Sequence, residues 1–162
     1  MELDNSINDS ANSYLTFRLG KELFASHVSK VYNILEMTPI TYVPKSPSYM
    51  KGVTNLRGTV LPVIDTRIKF GMSEMQYTKN TCILVLSVNI DNELVDVGAL
   101  VDVVQEVVEV EEDKILDPPS VGSKYKSEYV KGILKVKNQF IMLLDIDKIF
   151  STNEVINIRE SD

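Results

Sequence analysis

Residues 49–70, YMKGVTNLRGTVLPVIDTRIKF, align without a gap to residues 129–150, YVKGILKVKNQFIMLLDIDKIF, at an offset of 80 positions. Tyr49, Lys51, Gly52, Asp65 and Phe70 recur as Tyr129, Lys131, Gly132, Asp145 and Phe150. Apolar positions match apolar ones through most of both segments, and each copy turns at a basic residue followed by Gly58 or Asn138. Chance seldom produces this within one chain, so the segment is an internal repeat. A Pro-bearing loop precedes each copy (Pro44 and Pro47; Pro118 and Pro119), and before each loop lies a further hairpin signal, Gly20-Lys21 or Asp91-Asn92. The order hairpin, extended run, Pro loop, hairpin therefore occurs twice. It predicts a mainly all-β protein of two similar small barrels packed together, since either alone would have too little apolar surface to be stable.

Outside the repeat the chain keeps the same texture. Short β-rich runs are expected at Tyr14 to Leu19, Leu23 to Ala25, Val53 to Leu56, Thr59 to Ile64, Cys82 to Val88, Leu94 to Val101, Val107 to Val110, Ile133 to Val136 and Phe140 to Leu144. Many short strands broken by turn residues are the pattern of barrels and sandwiches. Leu19-Gly20-Lys21, Arg57-Gly58, Asp91-Asn92 and Lys137-Asn138 each supply a residue that tolerates the positive φ of a tight hairpin. Helical signals are few. Ser46-Pro47 resembles an N-cap followed by Pro, opening a turn or two through Met50, and Asp145 to Phe150 reads as a short helix with Ile146, Ile149 and Phe150 on one face. Pro62 inside a strand-like run predicts an edge strand or a bulge there. Residues 1–13 are polar and aperiodic, an N-terminal tail, and residues 151–162 form a C-terminal tail; the folded unit spans 14–150.

The 162 residues amount to about one domain, and 44% hydrophobic with 25% charged residues is an ordinary globular balance. A net charge of -6 offers no bulk attraction to phosphate backbones, and five Phe, seven Tyr and no Trp make a poor stacking platform, so nucleic acid is an unfavoured partner. No apolar run approaches the roughly 20 residues needed to cross a bilayer, and the N-terminus lacks the pattern of a secretory signal. The match Asn8-Asp9-Ser10 to a glycosylation sequon is read as chance. A single cysteine, Cys82, excludes an internal disulfide and fits the cytoplasm.

Catalysis and metal binding find little to work with. His27 is the only histidine, so a His-rich zinc site and HExxH are excluded, and GxSxG, GxxxxGK[ST] and GxGxxG are absent. His27 itself reads as a polar residue at a strand edge or loop. Cys82 opens CILVLSV and reads as a small buried hydrophobe. Glu106, Glu109, Glu111, Glu112 and Asp113 begin in alternation with valines, the solvated face of a strand, without the looped spacing of a calcium site. No catalytic residue, cofactor or metal is expected; a small-barrel hydrolase or ligand-binding protein is the reading this disfavours. Asn55-Leu56-Arg57-Gly58 stands apart, because an Arg at a hairpin tip is displayed outward, where its planar fork can pair with a carboxylate.

From Tyr14 to Phe150 the sequence resembles the CheW family, through YLTFRLGKELFA (residues 14–25), YMKGVTNLRGTVLPVIDTRIKFG (49–71) and EYVKGILKVKNQFIMLLDIDKIF (128–150). The middle motif, KGVxNLRG followed by PVIDxR, is the most specific. The resemblance implies one domain of two intertwined SH3-like five-stranded barrels and a non-catalytic adaptor. It also implies two partners: the regulatory domain of the chemotaxis histidine kinase, and the cytoplasmic tip of methyl-accepting chemoreceptors, seated in a groove between the barrels. Such a protein would be recruited to receptor arrays at the inner face of the membrane. The receptor-facing set implied is Arg57, Val28, Val31, Asn55 and Gly58; no kinase-contact residues are assigned. Many family members carry Glu where this chain has Asn33, so either Glu36 or another acceptor is expected to hold Arg57. The alternative function is an adaptor of the same type in a specialised pathway outside chemotaxis.

Overall fold

The computed structural model describes residues 12–74, 76–118 and 128–151. The sequon, Pro119 and most of both expected tails lie outside the described residues. Among the described residues ten strands form: β1 Ser13–Leu19, β2 Glu22–His27, β3 Val31–Glu36, β4 Met50–Leu56, β5 Thr59–Asp65, β6 Cys82–Ile90, β7 Glu93–Val101, β8 Val103–Glu109, β9 Val130–Val136 and β10 Gln139–Leu144. Two short helices, α1 Thr66–Lys69 and α2 Ile146–Phe150, close the two copies of the repeat. The strands make two five-stranded sheets, β8-β1-β2-β10-β9 and β3-β6-β7-β5-β4, the mainly all-β, paired-barrel architecture expected from the sequence.

Neither sheet is built from one repeat. The terminal barrel takes the hairpin β1–β2 from the first half of the chain and β8, β9 and β10 from the second, while the central barrel takes β6–β7 from the second half and β3, β4 and β5 from the first. The borrowed hairpin sits between two host strands in each case, joined by an antiparallel pairing on one side, β1 to β8 or β6 to β3, and by a parallel one on the other, β2 to β10 or β7 to β5. All four hairpins turn where expected, with Leu19↔Glu22, Leu56↔Thr59, Ile90↔Glu93 and Val136↔Gln139 as the last pairs. At two tips the positive φ falls on a basic residue, Arg57 at 52° and Lys137 at 57°.

The recurrent residues of the repeat do matching jobs. The N–H of Asp65 donates to the carbonyl of Tyr49 at 2.7 Å, and that of Asp145 to Tyr129 at 2.9 Å. Each aspartate caps the helix after it, accepting from Ile68 N–H or Lys148 N–H, both at 3.2 Å. Phe70 and Phe150 are buried at the helix ends. Gly52 and Gly132 let a returning segment cross β4 and β9: Thr41 bridges to Val53 and Leu116 to Ile133, each by two backbone bonds of 2.8 Å. Those bridges tie the chain that follows one edge strand to the opposite edge of the same sheet and so curl each sheet toward closure.

One continuous core runs through both barrels, from Leu15, Phe17 and Phe24 to Ile83, Leu100, Ile149 and Phe150, and a smaller cluster around Tyr14, Leu134 and Leu143 fills the terminal barrel. Phe24 meets Phe70 edge-on and Phe70 meets Tyr129 at a tilt across the join, at centroid distances of 5.2 and 5.7 Å.

Three sequence expectations are corrected. β5 is an interior strand, and the bulge in its pairing with β4 lies near Met50 and Gly52, not at Pro62. Pro62 is tolerated because its partner Val53 points both backbone groups at Thr41, so no β4 carbonyl there awaits an N–H from residue 62. Ser46-Pro47 opens no helix: Lys45 turns the chain at φ 64°, and the Ser46 hydroxyl donates back to Val43 O at 2.7 Å. β3 was not among the nine bounded runs, although it forms six residues of strand.

Candidate functional site: the β4–β5 hairpin tip and strand β3

Arg57 and Gly58 form the two-residue loop between β4 and β5, with φ of 52° and 87°. Positive φ at both positions is the primed turn whose twist matches the strands it joins. Two side chains lock it. Asn55 Oδ1 accepts the Gly58 N–H at 2.8 Å, and the Thr59 hydroxyl donates to Leu56 O at 2.6 Å. Asn55 and Gly58 thus act on the shape of the tip, and Arg57 is the side chain the tip presents.

The guanidinium is held by Tyr32 on β3. Arg57 Nη1 donates to the Tyr32 hydroxyl at 3.0 Å, with Cζ 5.8 Å from the ring centroid. β3 and β4 are opposite edges of the central sheet, and the return segment brings them together: Thr38 and Thr54 hydroxyls lie 3.0 Å apart, and Thr54 donates to Pro39 O at 2.9 Å. Among the described residues Arg57 forms no ion pair. Asn33 does not reach it, because its Oδ1 accepts the Ile34 N–H at 2.8 Å. Glu36 is four residues beyond Tyr32 along the strand, roughly 13 Å at 3.3 Å per residue, and sits opposite Cys82. The acceptor left open by the sequence is therefore a neutral phenol.

Val28 opens and Val31 follows the 3-10 turn Val28–Lys30, by which the chain leaves the terminal barrel for the central one. Both are half-buried against the shared core. His27 caps this turn, its Nδ1 accepting from Ser29 N–H at 3.1 Å, and its ring meets Tyr14 edge-on at 5.1 Å. Lys30 Nζ lies 2.8 Å from both carboxylate oxygens of Asp147 on α2, and Asp147 also accepts the Asn89 N–H at 2.8 Å. A cavity of about 360 Å³ opens beside the turn, lined by His27, Lys30, Lys131 and Asp147 among others.

The return crossover between β7 and β8 is pinned in the same manner with the charges reversed. Arg67 on α1 makes a bidentate pair with Asp102, its Nε donating to Oδ1 at 3.1 Å and its Nη2 to Oδ2. Asp102 Oδ2 also accepts the Gly20 N–H at 2.5 Å. The hydrogen bond to Asp102 raises the Arg67 pKa above its ordinary value. Burial likewise pushes the Cys82 thiol up, so the thiol stays protonated near neutrality. Among the described residues no group of three or more His, Cys, Asp and Glu could hold a metal ion, and no helix is long and apolar enough to cross a membrane.

Of the five expected residues, the hairpin unites Arg57, Asn55 and Gly58, and Val31 directly precedes Tyr32 on β3. Val28 stands at the far end of the 3-10 turn. Tyr32 was missed. Its signal was present as an aromatic next to Asn33, but VYNILE carries apolar residues on both faces and so shows no clean alternation. Tyr32 and Ile34 are 54% and 46% exposed, which identifies an outward apolar face on an edge strand.

Known proteins share the family and the fold. The "CheW-like domain" family model matches residues 13–154. The chain is 34% identical to a probable chemotaxis protein CheW of Rhizobium etli over 92% of this chain and 94% of that protein. It is 33% identical to chemotaxis protein CheW of Klebsiella aerogenes over 88% and 83%. The crystal structure of the scaffolding protein TtCheW from Thermoanaerobacter tengcongensis superposes with a TM-score of 0.78 at 29% identity, covering 88% of this chain and 90% of that one. The chain belongs to the CheW-like domain family.

Proposed function

We propose that this protein is a non-catalytic adaptor that couples chemoreceptors to the chemotaxis histidine kinase and lets receptor state control kinase activity. The observation that carries the reading is the family match over residues 13–154, joined to a paired-barrel fold shared with a protein described as a scaffold. In this reading the β4–β5 tip and the crossover face the receptor. Arg57 supplies charge, Val28 and Val31 supply apolar contact for an amphipathic helix, and Asn55 and Gly58 hold the tip in shape. The kinase's SH3-like regulatory domain binds another face, and the adaptor is cytoplasmic, reaching the membrane only through receptors. Coupling further requires that the adaptor's contacts differ between the active and inactive states of the kinase.

A second reading is an adaptor of the same kind serving another kinase and receptor pair. One relative with a different name, protein FrzA of Myxococcus xanthus, is 28% identical over 86% of this chain, which favours keeping it. Co-sedimentation with the kinase and receptor-bearing membranes of the same cell tests the proposal. Wild type is expected in the ternary pellet, and Arg57→Glu is expected to bind kinase while losing receptors. Failure of wild type to bind either chemotaxis partner would move the function to the second reading.

A further inference from the structure

We propose that Tyr32 is a positioning residue for Arg57, a neutral latch that fixes the guanidinium while leaving its charge free for a carboxylate of the partner. This inference rests on the receptor-facing reading of Arg57 and names the chemistry recognised there. A guanidinium carries five N–H donors in a rigid fork. Tyr32 occupies one donor, on Nη1, at 3.0 Å, and no other partner engages Arg57 among the described residues. The edge formed by Nε and Nη2 therefore remains open, and that edge can bind a carboxylate with two parallel hydrogen bonds. Cζ lies 5.8 Å from the ring centroid, at the outer limit of a cation–π contact, so the hydroxyl does most of the holding.

An acidic partner at this position would have neutralised the charge; a phenol does not. The latch also removes much of the rotamer freedom that an exposed Arg would otherwise lose on binding. The surroundings define the rest of the ligand. Ile34 shares the outward face of β3 with Tyr32, and Val60 lies opposite Asn55 beside the hairpin tip, with 46% and 60% of their surfaces exposed. A lone cation held at an apolar margin fits a helix that presents one Asp or Glu flanked by apolar residues.

The test is calorimetric titration of the full chain with a soluble helical-hairpin fragment of a chemoreceptor tip from the same cell, using wild type, Tyr32→Phe, Arg57→Ala and the double variant. Arginine side-chain NMR is recorded on the same samples. Tyr32→Phe, which removes only the hydroxyl, is expected to weaken binding by about three- to tenfold, the value of one net hydrogen bond. It is also expected to collapse the separate Nη resonances of Arg57 into an averaged signal, and to have no further effect in the Arg57→Ala background. Wild-type affinity together with unchanged Arg57 resonances in Tyr32→Phe would overturn the latch while leaving receptor binding intact. A wild-type protein that binds no receptor fragment would instead overturn the receptor reading, and this inference with it.

Discussion

A β-carbon added to Gly52 would lie 2.1 Å from the carbonyl oxygen of Thr41, and one added to Gly132 would lie 2.5 Å from a methyl of Ile115. The first neighbour is backbone, tied by its bridge to Val53, and cannot yield; the second is the methyl on the β-branched carbon of Ile115, which gives way only through a shift of that stiff side chain, a smaller adjustment than moving bridged backbone. Gly52→Ala is therefore expected to lower unfolding stability by about 2–3 kcal/mol or more, as overpacking does, and Gly132→Ala by less, measured by urea denaturation. Gly58 has open space around it, so Gly58→Ala pays only for its φ of 87°, about 1 kcal/mol. These roles were half-legible in the sequence. The repeat marked Gly52 and Gly132 as equivalent, but the strand that crosses each one comes from a loop with no pattern of its own. Arg57 was legible from its turn, whereas its acceptor was not, because a phenol one position before Asn33 carries no charge to notice.

Charge polarity is inverted at the two crossovers between barrels. Arg67 and Asp147 are equivalent in the repeat, yet one pairs with Asp102 and the other with Lys30. The Arg67–Asp102 pair is bidentate and over four-fifths buried, and a double-mutant cycle with Arg67→Met and Asp102→Asn is expected to give a coupling of about 1–3 kcal/mol. Lys30–Asp147 is about a third exposed and is expected to couple by less than about 1 kcal/mol. A larger coupling for the exposed pair would contradict this ranking. At this scale most strands and the helix after Asp145 were legible, since their apolar spacing matched their burial. β3 was not. Its outward residues Tyr32 and Ile34 are apolar and exposed, so a strand whose outer face is built for contact hides the alternation by which strands are recognised. Pro62 misled because it falls in a non-hydrogen-bonded pair with Val53, whose own backbone groups face Thr41, so the ladder with β4 loses no bond there.

The exchange of hairpins decides how the whole molecule behaves. Each sheet needs strands from both halves of the chain, and one core joins them, so neither residues 1–79 nor 80–162 contains a complete barrel. Each fragment expressed alone is expected to be unfolded by circular dichroism and the two together to reassemble; a folded single fragment would contradict the exchange. Thermal unfolding of the intact chain is expected to be one transition by every probe. The repeat revealed that two like units exist, but not that each hairpin crosses to the other unit, where it is held on one side by an antiparallel pairing, β1–β8 or β3–β6, and on the other by a parallel one, β2–β10 or β5–β7. The shared core suits an adaptor, because residues at the crossover pack against a core common to both barrels. The most direct measurement of that role is kinase autophosphorylation in reconstituted receptor membranes, with and without the purified protein and with and without attractant. The protein is expected to raise kinase activity, and attractant is then expected to suppress it. Kinase activity that is indifferent to the protein, with the protein folded and both partners present, would contradict that role.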